Sequence, residues 1–203
     1  MDSAGSKKLV VGITGASGAP YALKLLEEAA RVCSEIYVLI SDQAAQVINL
    51  ETDRKIDAAN PTVEALMGRS YSNIRLLDKR DYFSPPASGS FIHDGMVIVP
   101  CSMGTAGRIA NGISNDLLTR AADVCLKEKR KLILVPRETP WNLIHLRNMT
   151  LLAEAGATIL PAAPGFYYQP KSIDDLVNHV VGRILQQLGI TQNLVPQWQY
   201  SEE

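Results

Sequence analysis

Near its start the chain reads Lys7-Lys8-Leu9-Val10-Val11-Gly12-Ile13-Thr14-Gly15-Ala16-Ser17-Gly18-Ala19-Pro20, an apolar strand that turns through glycines into a helix. The first N–H groups of a helix have no partner within it, and the peptide dipoles leave partial positive charge there. Such a turn holds an anion without a basic side chain. Gly12, Gly15 and Gly18 allow close approach of a ligand, Ser17 adds a hydroxyl, and Pro20 suits the first helical turn. The glycine spacing matches neither G-x-G-x-x-G nor the ATP loop G-x-x-x-x-G-K-[ST], which argues against a dinucleotide or ATP. Two readings are open for this turn alone: a phosphate cradle, or a tight connection with no ligand. The second chemical grouping is Arg137-Glu138, bracketed by Pro136 and Pro140. Alone, such a pair reads as a surface ion pair contributing less than about 1 kcal/mol. Its company changes that weighing: Arg120 and Lys127 lie seven apart on one predicted helix, and Tyr167 adds another anion donor. Fixed donors of this kind are what a departing phosphate requires.

The elements that must position these residues fit a single domain. A chain of 203 residues, 46% hydrophobic, is long enough to bury one sizeable core. We read residues 1–203 as one unit, with a core over 7–190 and a C-terminal tail over 191–203. The formal charge of -1, without a basic block, argues against a nucleic-acid partner. Cys33, Cys101 and Cys125 form no C-x-x-C pair, so neither a disulfide framework nor a zinc site is expected, and a reducing compartment is. The N-terminus lacks a basic-then-apolar leader, and no run of about 18 apolar residues occurs, so a soluble, cytoplasmic protein without a membrane partner is expected.

Short branched runs, Leu9 to Ile13, Ile36 to Ile40, Met96 to Val99, Leu132 to Val135 and Thr158 to Leu160, read as strands buried on both faces. Between them, Ala19 to Arg31, Asp42 to Leu50, Asp116 to Lys129, Asn142 to Ala155 and Ile173 to Leu188 repeat apolar residues at helical spacing. Ser41, Asn115 and Ser172 stand where helix N-caps are needed, Gly156 and Gly189 where helices end. The alternation predicts a three-layer α/β fold, Rossmann-like or flavodoxin-like, with a doubly wound and mostly parallel sheet. Ligands in such sheets bind outside the carboxyl ends of the strands. The loops at Gly12 to Gly18, at Ser41, at Pro100 to Thr105, at Pro136 to Pro140 and at Pro161 to Pro170 should therefore converge on one edge. Asp81 to Phe91, rich in proline, serine and glycine, reads as a surface loop or as a lid over that edge.

Taken together, Gly12-Ile13-Thr14-Gly15-Ala16-Ser17-Gly18-Ala19, Pro85-Pro86-Ala87-Ser88-Gly89-Ser90, Pro100-Cys101-Ser102, Leu118-Thr119-Arg120-Ala121-Ala122-Asp123-Val124, Leu126-Lys127-Glu128, Pro136-Arg137-Glu138-Thr139-Pro140 and Pro164-Gly165-Phe166-Tyr167 resemble the UbiX/Pad-type flavin prenyltransferase family. The resemblance runs from about residue 7 to 190 in the family's order. It implies an enzyme that joins a dimethylallyl group from dimethylallyl monophosphate to N5 and C6 of reduced FMN. The prenylated FMN formed would pass to a decarboxylase of the UbiD family, and relatives assemble as homododecamers. It also implies catalysis without a metal ion, in keeping with the lack of a D-D-x-x-D run and of ligand spacing among His93, His145 and His179.

Carried over residue by residue, Gly15, Ala16 and Ser17 match the family's FMN loop, with Ser17 beside flavin N5. Ser41, Ser102, Thr105 and Arg120 match further FMN contacts. Lys127, Arg137, Tyr167 and Arg183 match the positions that hold the prenyl phosphate. Glu51 and Glu138 match acidic positions that assist phosphate departure and proton transfer, and Tyr82, Ala87, Ser88 and Gly89 would border the prenyl group. Trp198 in the tail is a further candidate for closing the site. Cys101 reads as a small packed residue near FMN. Two alternatives stand beside this reading: a flavin-dependent cysteine decarboxylase, whose P-x-M-N motif is absent here, and a non-catalytic FMN-binding subunit.

Overall fold

The computed structural model describes residues 7–195; Trp198 lies outside them. Six strands, β1 (Lys7–Ile13), β2 (Cys33–Ile40), β3 (Ile74–Leu76), β4 (Gly95–Cys101), β5 (Leu132–Pro136) and β6 (Thr158–Ile159), form one sheet in the order β3-β2-β1-β4-β5-β6. Every pairing in it is parallel. The helices are α1 (Ala19–Ala30), α2 (Asp42–Glu51), α3 (Val63–Met67), α4 (Met103–Ala110), α5 (Leu117–Lys127), α6 (Leu143–Glu154) and α7 (Ile173–Gln187).

Alternation along the central strands divides the core. Leu9, Val11, Ile13, Val97, Val99, Ile133 and Val135 pack with α1, α2, α3 and α7. Val10, Met96, Ile98, Leu132 and Leu134 pack with α4, α5 and α6 on the other face. Both sides of each central strand are thus apolar, as a parallel sheet covered by helices demands.

The winding reverses between β1 and β4, which places the topological switch point at the carboxyl ends of those two strands. A pair of hydrogen bonds ties the ends together there. The buried Thr14 hydroxyl donates to the Pro100 carbonyl at 2.8 Å and accepts from the Ser102 N–H at 2.8 Å.

Three sequence expectations need correction. The N-cap of α5 is Asp116, not Asn115: its carboxylate accepts from Thr119 N–H at 2.7 Å within a capping box. The sequence reading left β3, α3 and α4 unassigned and began β2 at Ile36 instead of Cys33. The Asp81–Phe91 stretch is not a lid over the carboxyl edge. After β3 the chain crosses to the far end of the sheet along the outside of α5, with a 3-10 turn at Pro85–Ala87. The Lys79 carbonyl receives the first N–H of α5 at 2.7 Å, Arg120 Nε donates to the Ala87 carbonyl at 3.2 Å, and Arg130 Nη1 to the Phe91 carbonyl at 2.6 Å. The stretch ends where the Asp94 N–H meets the Lys8 carbonyl at 2.8 Å, at the amino end of β1. Its backbone groups are satisfied along α5, so it is a fixed crossover.

Candidate active site

At the switch point the glycine-rich turn leads into α1 through Gly18, whose φ of 128° favours glycine, and Pro20 fills the first helical turn. A Cβ on Gly15 would lie 2.4 Å from Cβ of Gln43, so the turn is pressed against α2. The α1 N-terminus is not left for a phosphate: Glu51 Oε2 accepts from the Gly18 and Ala19 N–H groups at 2.9 and 2.8 Å. An anion does occupy the helix end, as the dipole argument requires, but the chain supplies it from the last residue of α2.

Ser41 and Ser102 cap α2 and α4, accepting from the Ala44 N–H at 3.1 Å and the Thr105 N–H at 3.3 Å. The Ser102 hydroxyl also donates to Thr105 Oγ1 at 3.1 Å, and Arg108 Nη2 donates to the same oxygen at 3.2 Å. Arg108 continues to Asp116 Oδ2 at 2.7 Å and Asn115 Oδ1 at 2.8 Å. Burial pushes the Asp116 carboxyl up, but the hydrogen bonds from Thr119 and Arg108 outweigh it and hold it below the ordinary carboxylate value. Thr14, Ser41, Lys79, Arg80, Arg108 and Asp116 line a cleft of about 360 Å³ at this edge. Larger clefts exist, including one of about 540 Å³ around Arg54 and Tyr71, but that one lies between α1, α3 and α7, away from the switch point.

Arg137 and Glu138 follow β5 on the same edge. Tyr21, in the first turn of α1, lies in the field of both Arg137 and Glu51: burial raises its phenol pKa, Arg137 opposes the rise and Glu51 adds to it. Glu138 Oε1 accepts from the Thr139 N–H at 3.0 Å, and its carbonyl accepts from Trp141 Nε1 at 2.9 Å. One chain therefore brings together Gly15, Ala16, Ser17, Ser41, Glu51, Ser102, Thr105, Arg137 and Glu138 along the carboxyl edge. Burial pushes the Cys101 thiol up to about 12, which makes it a packed residue without thiolate character.

The remaining candidates lie on α5, along the crossover, in the loop after β6 and on α7. The helix α5 carries Arg120 and Lys127 away from the carboxyl edge; its eleven residues span roughly 16 Å. Arg120 Nη1 pairs with Asp123 at 2.9 Å, and Lys127 pairs with Glu128 beside Gly89. Tyr82, Ala87, Ser88 and Gly89 follow the crossover outside α5, with Tyr82 and Phe83 exposed. Tyr167, 83% exposed, lies in the loop after β6, which starts at the carboxyl edge where the Ala162 N–H donates to the Pro136 carbonyl at 3.0 Å, and Arg183 lies farther along α7 beside His179. The sequence reading missed Tyr21, Arg108 and Arg130. Arg108 had a signal in its spacing from Thr105, one turn apart; Tyr21 and Arg130 had none.

Among the described residues no group of three or more His, Cys, Asp and Glu side chains is placed to hold a metal ion, and no helix is long and apolar enough to cross a membrane. A parallel doubly wound sheet with a hydroxyl-lined cleft at its switch point defines the class: an α/β fold built to hold a nucleotide-like ligand. A model of the Flavoprotein family matches residues 2–185. The flavin prenyltransferase UbiX of Pseudomonas aeruginosa is 48% identical over 96% of this chain and 95% of its own. The crystal structure of AnUbiX in complex with FMN and dimethylallyl pyrophosphate superposes with a TM-score of 0.86 at 40% identity, covering 97% of this chain and all of the other. A dodecameric FMN-dependent UbiX-like decarboxylase from Escherichia coli O157:H7 gives 0.84 at 41% identity, covering 95% of this chain and all of the other. The chain belongs to the flavin prenyltransferase family. The likeness to the peptidyl-cysteine decarboxylase EpiD, at 20% identity and a TM-score of 0.59, shows the fold alone.

Proposed function

We propose that this protein joins the dimethylallyl group of dimethylallyl monophosphate to N5 and C6 of reduced FMN, in the cytoplasm, and that the prenylated flavin serves a UbiD-type decarboxylase. One observation carries the reading beyond flavin binding: Arg137 and Glu51 both act on Tyr21 at the mouth of the glycine-rich turn, and Glu138 follows Arg137 on the same edge. A cradle for flavin alone needs no second set of charged groups there.

The residues present fit FMN. The cleft at the switch point is lined by Thr14, Ser41, Lys79, Arg80 and Arg108, and of its three cations Lys79 pairs with Asp42 and Arg108 with Asp116. Gly15, Ala16, Ser17, Ser41, Ser102, Thr105 and Arg120 would hold the cofactor. When bound and reduced, the flavin supplies the nucleophile, so no side chain of the protein becomes covalently bonded. Lys127, Arg137, Tyr167 and Arg183 hold the donor phosphate and meet the charge that grows on it as the C–O bond breaks. Lys127 is free to do so because an exposed Lys127–Glu128 pair gains little and yields to a phosphate. Glu51 and Glu138 hold protons near the reacting atoms, with Ser17 relaying one. Tyr82, Ala87, Ser88 and Gly89 border the prenyl group, where an aromatic face stabilises developing cationic charge.

Lys127 ends α5 just before the amino end of β5 and Arg137 follows its carboxyl end, so within one chain they stand at opposite ends of that strand. We infer that the site closes between subunits of a homo-oligomer, a dodecamer by similarity to the UbiX-like relative described as dodecameric. Anaerobic incubation with reduced FMN and either dimethylallyl monophosphate or the diphosphate tests the function. A flavin of increased mass and altered spectrum, formed with the monophosphate, is expected. Unchanged flavin in the presence of demonstrably bound FMN contradicts the reading.

A further inference from the structure

One side chain fastens the Gly165–Tyr168 segment to α7. The Gly165 N–H donates to His179 Nδ1 at 2.8 Å, and the imidazole meets the Tyr168 ring edge-on, with centroids 5.0 Å apart and planes at 66°. A Cβ on Gly165 would lie 3.3 Å from His179 Cε1 and 3.4 Å from Tyr167 Cδ2, so loop and histidine are already in contact. Arg183 follows His179 by one helical turn, and both line a groove of about 290 Å³ beside β6. His179 thus touches the segment that carries Tyr167 while sharing a groove with Arg183, so it joins two different elements.

We propose that His179 is a positioning residue that sets the Tyr167 loop against Arg183 and thereby forms the grip on the donor phosphate; the proposal rests on the function assigned above. An imidazole that accepts through Nδ1 is neutral and carries its proton on Nε2. Burial, and then the Arg183 guanidinium, hold its pKa below the ordinary histidine value, which preserves the acceptor at neutral pH. The charged and titratable groups around it are Arg183 on α7 and the two loop tyrosines, with Asp175, one turn earlier on α7, acting on Tyr168. The β6 side of the groove presents no titratable group among the described residues.

Two variants of the full chain separate the roles. His179→Phe keeps a ring against Tyr168 and removes the acceptor, whereas His179→Asn returns an acceptor oxygen near the Nδ1 position. His179→Phe should raise KM for dimethylallyl monophosphate about tenfold, the cost of one partly buried hydrogen bond, with kcat and FMN affinity nearly unchanged. His179→Asn should recover most of that loss. As pH falls below the ordinary histidine value of 6.5, KM should climb more steeply in the wild type than in His179→Asn; the donor phosphate titrates in both, so the difference reports the imidazole. Amide exchange at Gly165 should quicken about tenfold in His179→Phe and remain near wild type in His179→Asn. An unchanged KM in His179→Phe, or a parallel loss of FMN affinity, overturns the proposal. Equal Gly165 protection in both variants overturns it even where no product forms. Absence of product from the wild type, with the exchange pattern as described, counts against the transferase reading and supports the loop's dependence on His179.

Discussion

Glu51 and Lys127 are both charged candidates for the same reaction, yet their surroundings predict opposite responses to substitution. Glu51 accepts two backbone N–H bonds at the start of α1, the position where a bound anion was expected. Glu51→Ala strips that helix of its anion and should lower stability by about 1–2 kcal/mol, read by urea denaturation, besides impairing prenyl transfer. Glu51→Gln keeps one acceptor oxygen and should recover much of the stability without the activity. A stability unchanged in Glu51→Ala would mean the carboxylate is not engaged as described. Among the described residues Lys127 pairs with its exposed neighbour Glu128. Lys127→Ala should therefore leave the urea midpoint where it is while removing use of the donor, and a shifted midpoint would assign the lysine a structural part instead.

At the scale of elements, α5 and the crossover outside it are built around Asp116. Its carboxylate caps the helix and anchors Arg108, which holds Thr105 at the start of α4. Asp116→Ala should cost about 1–2 kcal/mol through the lost cap and also weaken FMN binding, measured by flavin fluorescence. The pH dependence of stability has two steps of the same sign. Burial holds the pKa values of His93 and His179 below the usual 6.5, so on acidification the unfolded chain takes up those protons first. Stability should be level above about pH 6.5 and fall below it until the folded chain's own rings protonate. Asp116, held below its usual 3.8, adds a second loss beneath about pH 4, again because the unfolded chain binds the proton first. Urea melts across pH should show both losses, with the second smaller in Asp116→Asn; Glu35, Glu64, Glu128 and Asp175, also held low but not buried, keep a residual step. The residues that make these elements differed in legibility. Central strands such as Leu132 to Val135 announce themselves as branched runs, and Ser172 and Gly189 mark the ends of α7 by side-chain oxygen and by positive φ. The helix α4 did not, because Gly104 and Gly107 break its pattern and read as loop. The three residues of β3 are too few to show any period, and the path of Asp81 to Phe91 is fixed by carbonyls meeting Arg120 and Arg130, which composition does not encode.

Across the whole molecule the candidate residues form three groups: the carboxyl edge with Ser17, Glu51, Arg137 and Glu138, the outside of α5 with Gly89, Arg120 and Lys127, and the β6–α7 side with His179 and Arg183 in the groove and Tyr167 in the exposed loop after β6. The sequence order of the motifs named the members but not this separation, since spacing along a chain says nothing of which copy a residue meets. Exposed Phe83, Ile92 and Phe166 accompany the two outlying groups, and apolar side chains of that size beside charged ones are the ordinary composition of a subunit contact. If each site draws Lys127 from one subunit and Arg137 from another, two inactive variants can repair one another. Lys127→Ala and Arg137→Ala, each inactive alone, should regain activity when co-expressed or mixed after reversible dissociation, because some sites then receive an intact residue from each parent. The regained fraction should approach about one quarter at equal amounts if one residue comes from each of two subunits chosen at random. Mixed assemblies that remain inactive would place both residues in a single chain's site and require the outer face of α5 to act without a neighbour.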